Sequence, residues 1–498
     1  MFIHSNNKAL AFLALQSLFN SVIASCGPPG FHLTLKPDLA PEGYNLHGTV
    51  RITDSFTANE TIAVLPNTIA WIRTAQYGAN DIIATDDEGT IPLVMQDVAV
   101  GPFGQPTRSC IAQRATSGSL SLSFTASPVV VNASALPGPL FDIRNGTGGL
   151  TGSMWALVPV PDPMSTTEYN MTVSWDISKS QAAAFTWADG RGPHSHSLIG
   201  PITDLLQTFF IVGDVDSLPA ISSPEQGAFG IPSFLETLLD YSTSFWADGS
   251  GQPYRVFIRV NEEQWTSIGA PGAGGTALLR SFTVGYNAAA AIRAGQLRTL
   301  WAHEMTHNWT PWVGGSSTEQ SRYNEGSAEY WSLRLLWRAG MLTSQEYLDE
   351  MNTRAYNYYT NSAVNMSDSA AQEVAWQIRD AQRIPYGRGM LHLTNIDAQV
   401  RAATNGTQSL DGLAQEFVRE CRATAGCGAE TWFPILREAL GQDAVDEWER
   451  VTTGWPLIKP EDGSLGPCFN VVRNGTSPTL WVWEAKEGVD ISSEECLI

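Results

Sequence analysis

Trp301-Ala302-His303-Glu304-Met305-Thr306-His307-Asn308-Trp309 is the stretch from which the rest of the chain is read. It lies in a run of good helix formers, and the predicted helix spans Arg293 to Asn308. On a helix, side chains four apart share one face with Cβ atoms about 6 Å apart. His303 and His307 can therefore present two imidazole nitrogens to one metal ion. Glu304 then lies beside the ion, placed as a general base for a water that the metal activates. The chain has only eight histidines. A chance His-Glu-x-x-His is expected in roughly one such sequence in a hundred.

Two histidines and a water leave a tetrahedral zinc ion one protein ligand short. The stretch Tyr323-Asn324-Glu325-Gly326-Ser327-Ala328-Glu329-Tyr330 places two carboxylates one helical turn apart, after a loop of 17 residues beyond His307. Glu325 is expected to open the next helix and complete the ligand set. Glu329, one turn on, is expected either to accept the free ring N–H of a ligating histidine or to be a solvated helix carboxylate.

His303-Glu304-x-x-His307 followed by Asn324-Glu325-Gly326-x-Ala328-Glu329-Tyr330 resembles the gluzincin metallopeptidases, of the thermolysin and aminopeptidase N type. Leu335-Leu336-x-Arg338-Ala339-Gly340-Met341-Leu342-Thr343-x-x-Glu346-Tyr347 looks like the glycyl aminopeptidase family within that clan. So does Tyr386-Gly387-Arg388-Gly389 leading to Asp397, Arg401 and Ser409-Leu410-Asp411. The resemblance covers roughly residues 150 to 455 and is strong over 300 to 415. It implies one catalytic zinc ion held by His303, His307 and Glu325, with Glu304 as base. It also implies that Tyr386 donates its phenolic hydroxyl to the oxyanion, a donor whose loss typically costs 10²–10³ in rate.

Two departures bear on substrate. The family carries a Gly-Gly-x-Glu-His element on the strand before the zinc helix, whose glutamate anchors the free amine of the substrate. This chain has Gly274-Gly275-Thr276-Ala277-Leu278 there. Family members often end in a peptide-binding module of the PDZ type, and the 44 residues after Gly454 are too few for one. The implied function is a zinc aminopeptidase with its amine anchor altered. An endopeptidase of the same mechanism is the alternative, and a retired secreted binding protein is a further one.

Outward from this core, residues 26–218 carry short alternating apolar runs such as Phe31-Leu33-Leu35, Val50-Ile52, Leu120-Leu122-Phe124 and Met171-Val173-Trp175-Ile177. This is the two-residue period of a strand with one buried face, and it predicts an all-β, sandwich-like domain. Residues 219–455 predict a thermolysin-like catalytic domain, with a small sheet (strands at Tyr254–Val260 and Ala277–Val284) followed by a helical bundle. Its later helices are expected over Ser369–Gln382 and Gly387–Ala403, among others. The fold class is α+β, closed by a disulfide-stapled tail over 456–498.

The first 25 residues read as a secretory signal peptide, with an apolar run from Ala9 to Ala24 and small residues at its end. The six cysteines fit an oxidising compartment. Proximity in sequence pairs Cys421 with Cys427 and Cys468 with Cys496, leaving Cys26 with Cys110. Eight Asn-x-Ser/Thr acceptor sites occur, of which Asn308 abuts the metal helix. A formal net charge of −21 argues against nucleic acid as a partner. The expected partner is a peptide or protein substrate, met by a secreted monomer with no membrane association.

Overall fold

The computed structural model describes residues 27–496, except 41–42, 71, 79, 102–104, 129–138, 147, 216–230, 262–272, 288–293, 311–316, 424–426 and 476–479. The expected leader and Cys26 lie outside these residues, as does the expected acceptor Asn132.

The alternating runs of the first half form strands with one face inward. In Gly30–Ala40, Phe31, Leu33 and Leu35 are fully buried while their neighbours face solvent. A seven-stranded sheet runs in the order His194–Pro201, Glu168–Trp175, Gly30–Ala40, Gly43–Ile52, Leu120–Ala126, Ile82–Asp86, Gly89–Ile91. The pair Gly30–Ala40 and Glu168–Trp175 is parallel, with Leu33 opposite Val173. A five-stranded sheet built around Phe209–Gly213 shares its core. Trp175 meets Phe210 there, with ring centroids 5.8 Å apart.

The second half is helical around a three-stranded sheet of Arg255–Asn261, Ser281–Asn287 and Ala273–Leu278, in that order, so Ala273–Leu278 is an edge strand. The expected single strand over Ala277–Val284 is instead an antiparallel hairpin, with Leu278 opposite Ser281. The chain reverses at Leu279-Arg280, where Arg280 adopts φ 54°. That left-handed conformation is uncommon for a side chain other than glycine or asparagine, so no turn residue announced it.

Four helices carry the site. They are Ala294–Thr306, Ser317–Arg338, Ser344–Tyr359 and Ile384–Ala403. The second begins eight residues before Glu325, so Glu325 sits inside a helix rather than opening it. The predicted Ser369–Gln382 helix breaks into Asp368–Val374 and Arg379–Gln382. Ser317–Arg338 and Ile384–Ala403 cross at backbone contact. A Cβ on Gly326 would stand 2.4 Å from the Cα of Gly389, and one on Gly389 would stand 2.1 Å from the carbonyl oxygen of Arg322. Only two glycines allow that approach.

Buried charges are matched around these helices. Arg388 pairs with Asp368 and donates to the carbonyls of Val364 (2.9 Å) and Met366 (2.7 Å). Asp411 accepts from Trp331 Nε1 (3.0 Å) and Arg338 (2.6 Å). The tail forms a hairpin, Phe469–Asn474 with Leu480–Ala485, and is held by the Cys468–Cys496 disulfide. The Asn352 side chain bonds the backbone of Trp483 in both directions, at 2.9 and 2.8 Å. Cys421 and Cys427 are also bonded, while Cys110 is a buried thiol with no disulfide to a described residue.

Candidate active site

Helix Ala294–Thr306 delivers His303 and Glu304, and His307 follows in the turn that ends it. Glu325 approaches from the crossing helix. His303 Nε2 stands 3.2 Å from His307 Nε2 and 3.2 Å from a Glu325 carboxylate oxygen, which is 3.6 Å from His307 Nε2. A tetrahedral ion with bonds of about 2.0–2.1 Å places its ligand atoms about 3.3 Å apart, so this spacing fits zinc. Two ring nitrogens turned toward each other at 3.2 Å are bridged by a proton on one of them or by a shared cation. Among the described residues this is the one cluster with such a donor set. Although burial pulls it down, the hydrogen bond and charge of Glu325 hold the ion-free His307 imidazole at about 9. Glu325 is depressed well below the carboxylate range, since its two imidazole partners outweigh burial.

The other ring nitrogens are engaged unequally. His307 Nδ1 lies 2.8 Å from the Asn324 side-chain oxygen, which fixes that ring with Nε2 facing the cluster. Glu329 comes only to 3.5 Å from His303 Nδ1, within ionic reach but beyond a good hydrogen bond. Arg354, on the Ser344–Tyr359 helix, holds Glu329 at 2.8 Å and also pairs with Glu350. Asn324 lies inside the motif that marked Glu325 and could have been read from it. Arg354 has no signal near the motif and is brought in by packing alone.

Glu304 is 6% exposed, and burial raises its pKa, partly offset by the nearby imidazoles. Gly275 of the edge strand lies against it, and a Cβ there would meet Glu304 Cγ and Oε1 at 2.5 Å. Thr276, next along, accepts through its hydroxyl from the Leu140 backbone N–H at 2.8 Å. Tyr386 enters in the first turn of Ile384–Ala403, where Pro385 suits a position with no intrahelical N–H bond to lose. Its ring stacks on His303, with centroids 5.6 Å apart and planes within 10°. Burial and the charge of Glu325 hold the phenol far above its ordinary value, so it is a neutral donor.

These groups open into a cleft of about 1350 Å³. Its walls come from the edge strand, from Arg379, Arg383 and Tyr386, and from Phe141 and Trp155 of the strand-rich half. The structure thus brings His303, Glu304, His307, Glu325, Glu329 and Tyr386 around one cleft. Ala277, in the place of the family's amine-anchoring glutamate, lines it too. Asn308 is part-buried there, and its side-chain oxygen accepts from the Arg280 N–H at 3.0 Å.

No family model matches the sequence, and no curated protein is similar to it. Solved structures are. An aminopeptidase N family protein from Idiomarina loihiensis superposes with a TM-score of 0.64 at 14% identity, over 89% of this chain and 79% of that one. An M1 zinc metallopeptidase variant from Deinococcus radiodurans, bound to a Tyr-Ser-Ala substrate, gives 0.52 at 16% identity, over 87% and 95%. The chain therefore has the fold of the aminopeptidase N-type zinc metallopeptidases.

Proposed function

We propose that the protein is a secreted, zinc-dependent metallopeptidase. The observation that carries this reading is the convergence of three ligand atoms at tetrahedral spacing, beside a buried carboxylate and inside a cleft flanked by an unpaired strand edge. An extended peptide can add to such an edge through main-chain hydrogen bonds. His303, His307 and Glu325 hold the ion, which when bound supplies a Lewis acid and an activated water. Glu304, desolvated and so a stronger base than a free carboxylate, takes the proton of the attacking water and returns it to the departing amine. The Tyr386 hydroxyl donates to the charge developing on the carbonyl oxygen. Asn324 orients His307, and Arg354 steadies Glu329.

The substrate's free amine has no evident anchor among the described residues. Ala277 offers none, and the described carboxylates lining the cleft are Glu325 of the cluster, the base Glu304, or paired with arginines. Asp248 meets Arg280 at 2.6 Å, while Glu329 and Glu350 both meet Arg354. An ammonium buried without a partner is costly, so N-blocked or internal peptide bonds fit this cleft better than a free N-terminus. Secretion rests on the leader, the disulfides and six acceptor asparagines that are exposed in the fold. Asn308 is the poorest of the acceptors because it is part-buried in the cleft lining and its Oδ1 is held by the Arg280 N–H. No helix among the described residues is long and apolar enough to cross a membrane.

The test is Glu304→Gln. The variant retains one zinc per chain by metal analysis and loses turnover of an internally quenched, N-blocked peptide. Near wild-type turnover by Glu304→Gln would remove Glu304 as the base. Clear preference for an unblocked aminoacyl reporter would restore the aminopeptidase specificity.

A further inference from the structure

We propose that Arg379 and Arg383 form a carboxylate-binding subsite of this cleft, so that the enzyme selects peptides bearing an anionic group within a few residues of the scissile bond. The inference rests on the peptidase reading above and names the substrate class that the same site takes.

The two arginines are one helical turn apart, since the Arg383 N–H bonds the Arg379 carbonyl at 3.1 Å. Both line the cleft. Like charges at that spacing repel, and neither makes an ion pair or a side-chain hydrogen bond with any described residue, the Tyr386 ring beneath Arg383 being the direct contact that eases them. Asp380, between them in sequence, bonds Ser362 and reaches Arg379 only through its charge. The other cleft arginines have partners. Arg280 and Arg354 pair with carboxylates, and Arg422 donates to the carbonyls of Trp246 (3.4 Å) and Ala247 (3.5 Å). Glu304 and Glu329 feel the charge of Arg383, but the imidazoles and Arg354 act on them more strongly. Two guanidinium groups therefore stand on this lining without a direct carboxylate partner among the described residues, in a chain whose formal net charge is −21.

Their position ties them to the reaction. The Arg383 guanidinium carbon lies 4.8 Å from the centroid of the Tyr386 ring, and the opposite neighbour in that contact chain is His303, stacked on the same ring. An extended peptide advances about 3.3 Å per residue. A carboxylate one to three residues from a carbonyl held beside His303 and Tyr386 reaches this wall. Guanidinium forks recognise carboxylates through paired, charge-assisted hydrogen bonds. Where the family's amine anchor would sit, this cleft has Ala277. It discriminates by charge in the opposite sense, against an ammonium and for a carboxylate.

The carboxylate has two sources, the C-terminus of a short peptide or an Asp or Glu side chain. The experiment uses the zinc-loaded full chain and one N-blocked peptide in three forms: free acid, C-terminal amide, and amide carrying Glu beyond the cleaved bond. kcat/KM is read by product chromatography, and Kd for the same peptides by calorimetry on Glu304→Gln. The expected result is about a tenfold advantage for one or both anionic forms over the neutral amide, shrinking as salt rises. Which anionic form gains identifies the source. In Arg379→Gln/Arg383→Gln the ratio of anionic to neutral peptide falls toward one. Equal constants for all three forms overturn the proposal. So does a preference that survives the double substitution, which would belong to the metal. Should no peptide be cut, the peptidase reading fails, and the Kd ratios still decide the subsite.

Discussion

Adding one methyl group at Gly275 tests how tightly the cleft positions its base. A Cβ built there stands 2.5 Å from Glu304 Cγ and Oε1 and 2.6 Å from Cδ, against an ordinary contact beginning near 3.4 Å. About 0.9 Å of movement is required. The edge strand cannot readily retreat, because Gly275 is paired with Val284 on one side and Thr276 is tied to Leu140 on the other. The Glu304 carboxylate is the part that yields. Displacement of a reacting group by about 1 Å can cost on the order of 100-fold in rate. Gly275→Ala is therefore expected to lower kcat by about that factor while zinc content and melting temperature stay near wild type. Gly274→Ala is the matched control, since a Cβ there meets nothing within 4 Å, and it should cost a few-fold at most. The assay is steady-state hydrolysis of the N-blocked peptide with metal analysis on the same preparations. A Gly275→Ala enzyme within threefold of wild type would refute the placement of Glu304 against this strand.

Two further outcomes follow from groups behind the site. Replacing Glu329 by Gln removes the carboxylate that faces His303 Nδ1, and replacing Arg354 by Met frees it. Zinc affinity measured by competition with a chelator should fall about 10–100-fold, more for Glu329 than for Arg354. Asp411 is held at about 2: burial raises it, and Arg334 and Arg338 outweigh burial. Because the folded value lies below the unfolded one, its contribution is present in full above about pH 5 and lost as pH falls through 2. That contribution is about 2 kcal/mol. The stability gap between wild type and Asp411→Asn, from urea unfolding, should narrow by roughly that amount between pH 6 and pH 2. A gap independent of pH would show that the carboxylate is not depressed.

What could be read from residues alone follows the range of the interactions involved. The His303–His307 spacing is a property of one helix, and the burial of Phe31, Leu33 and Leu35 is a property of one strand. Both were legible because a local period determines them. The hairpin at Leu279-Arg280 was not, since alternation continues on both sides of it and the turn uses an arginine in a left-handed conformation. The start of the Glu325 helix was misplaced because Ser317 to Tyr323 is mostly polar and shows no apolar period. Tyr386 was legible only through its motif, whereas Arg354, Arg379 and Arg383 acquire meaning from the packing of separate helices. The close approach of Gly326 to Gly389 likewise needed the fold, as glycine in a helix signals nothing by itself.

The hydrogen bond from Leu140 to Thr276 joins a loop of the strand-rich half to the strand that borders Glu304. The two halves consequently share custody of one binding surface. Phe141 and Trp155 supply part of its wall, and Arg259 reaches back to pair with Asp142 at 3.1 Å. The shape of the entrance, and with it the range of ligands the cleft admits, therefore depends on residues far from the helices that carry the His303–His307–Glu325 cluster.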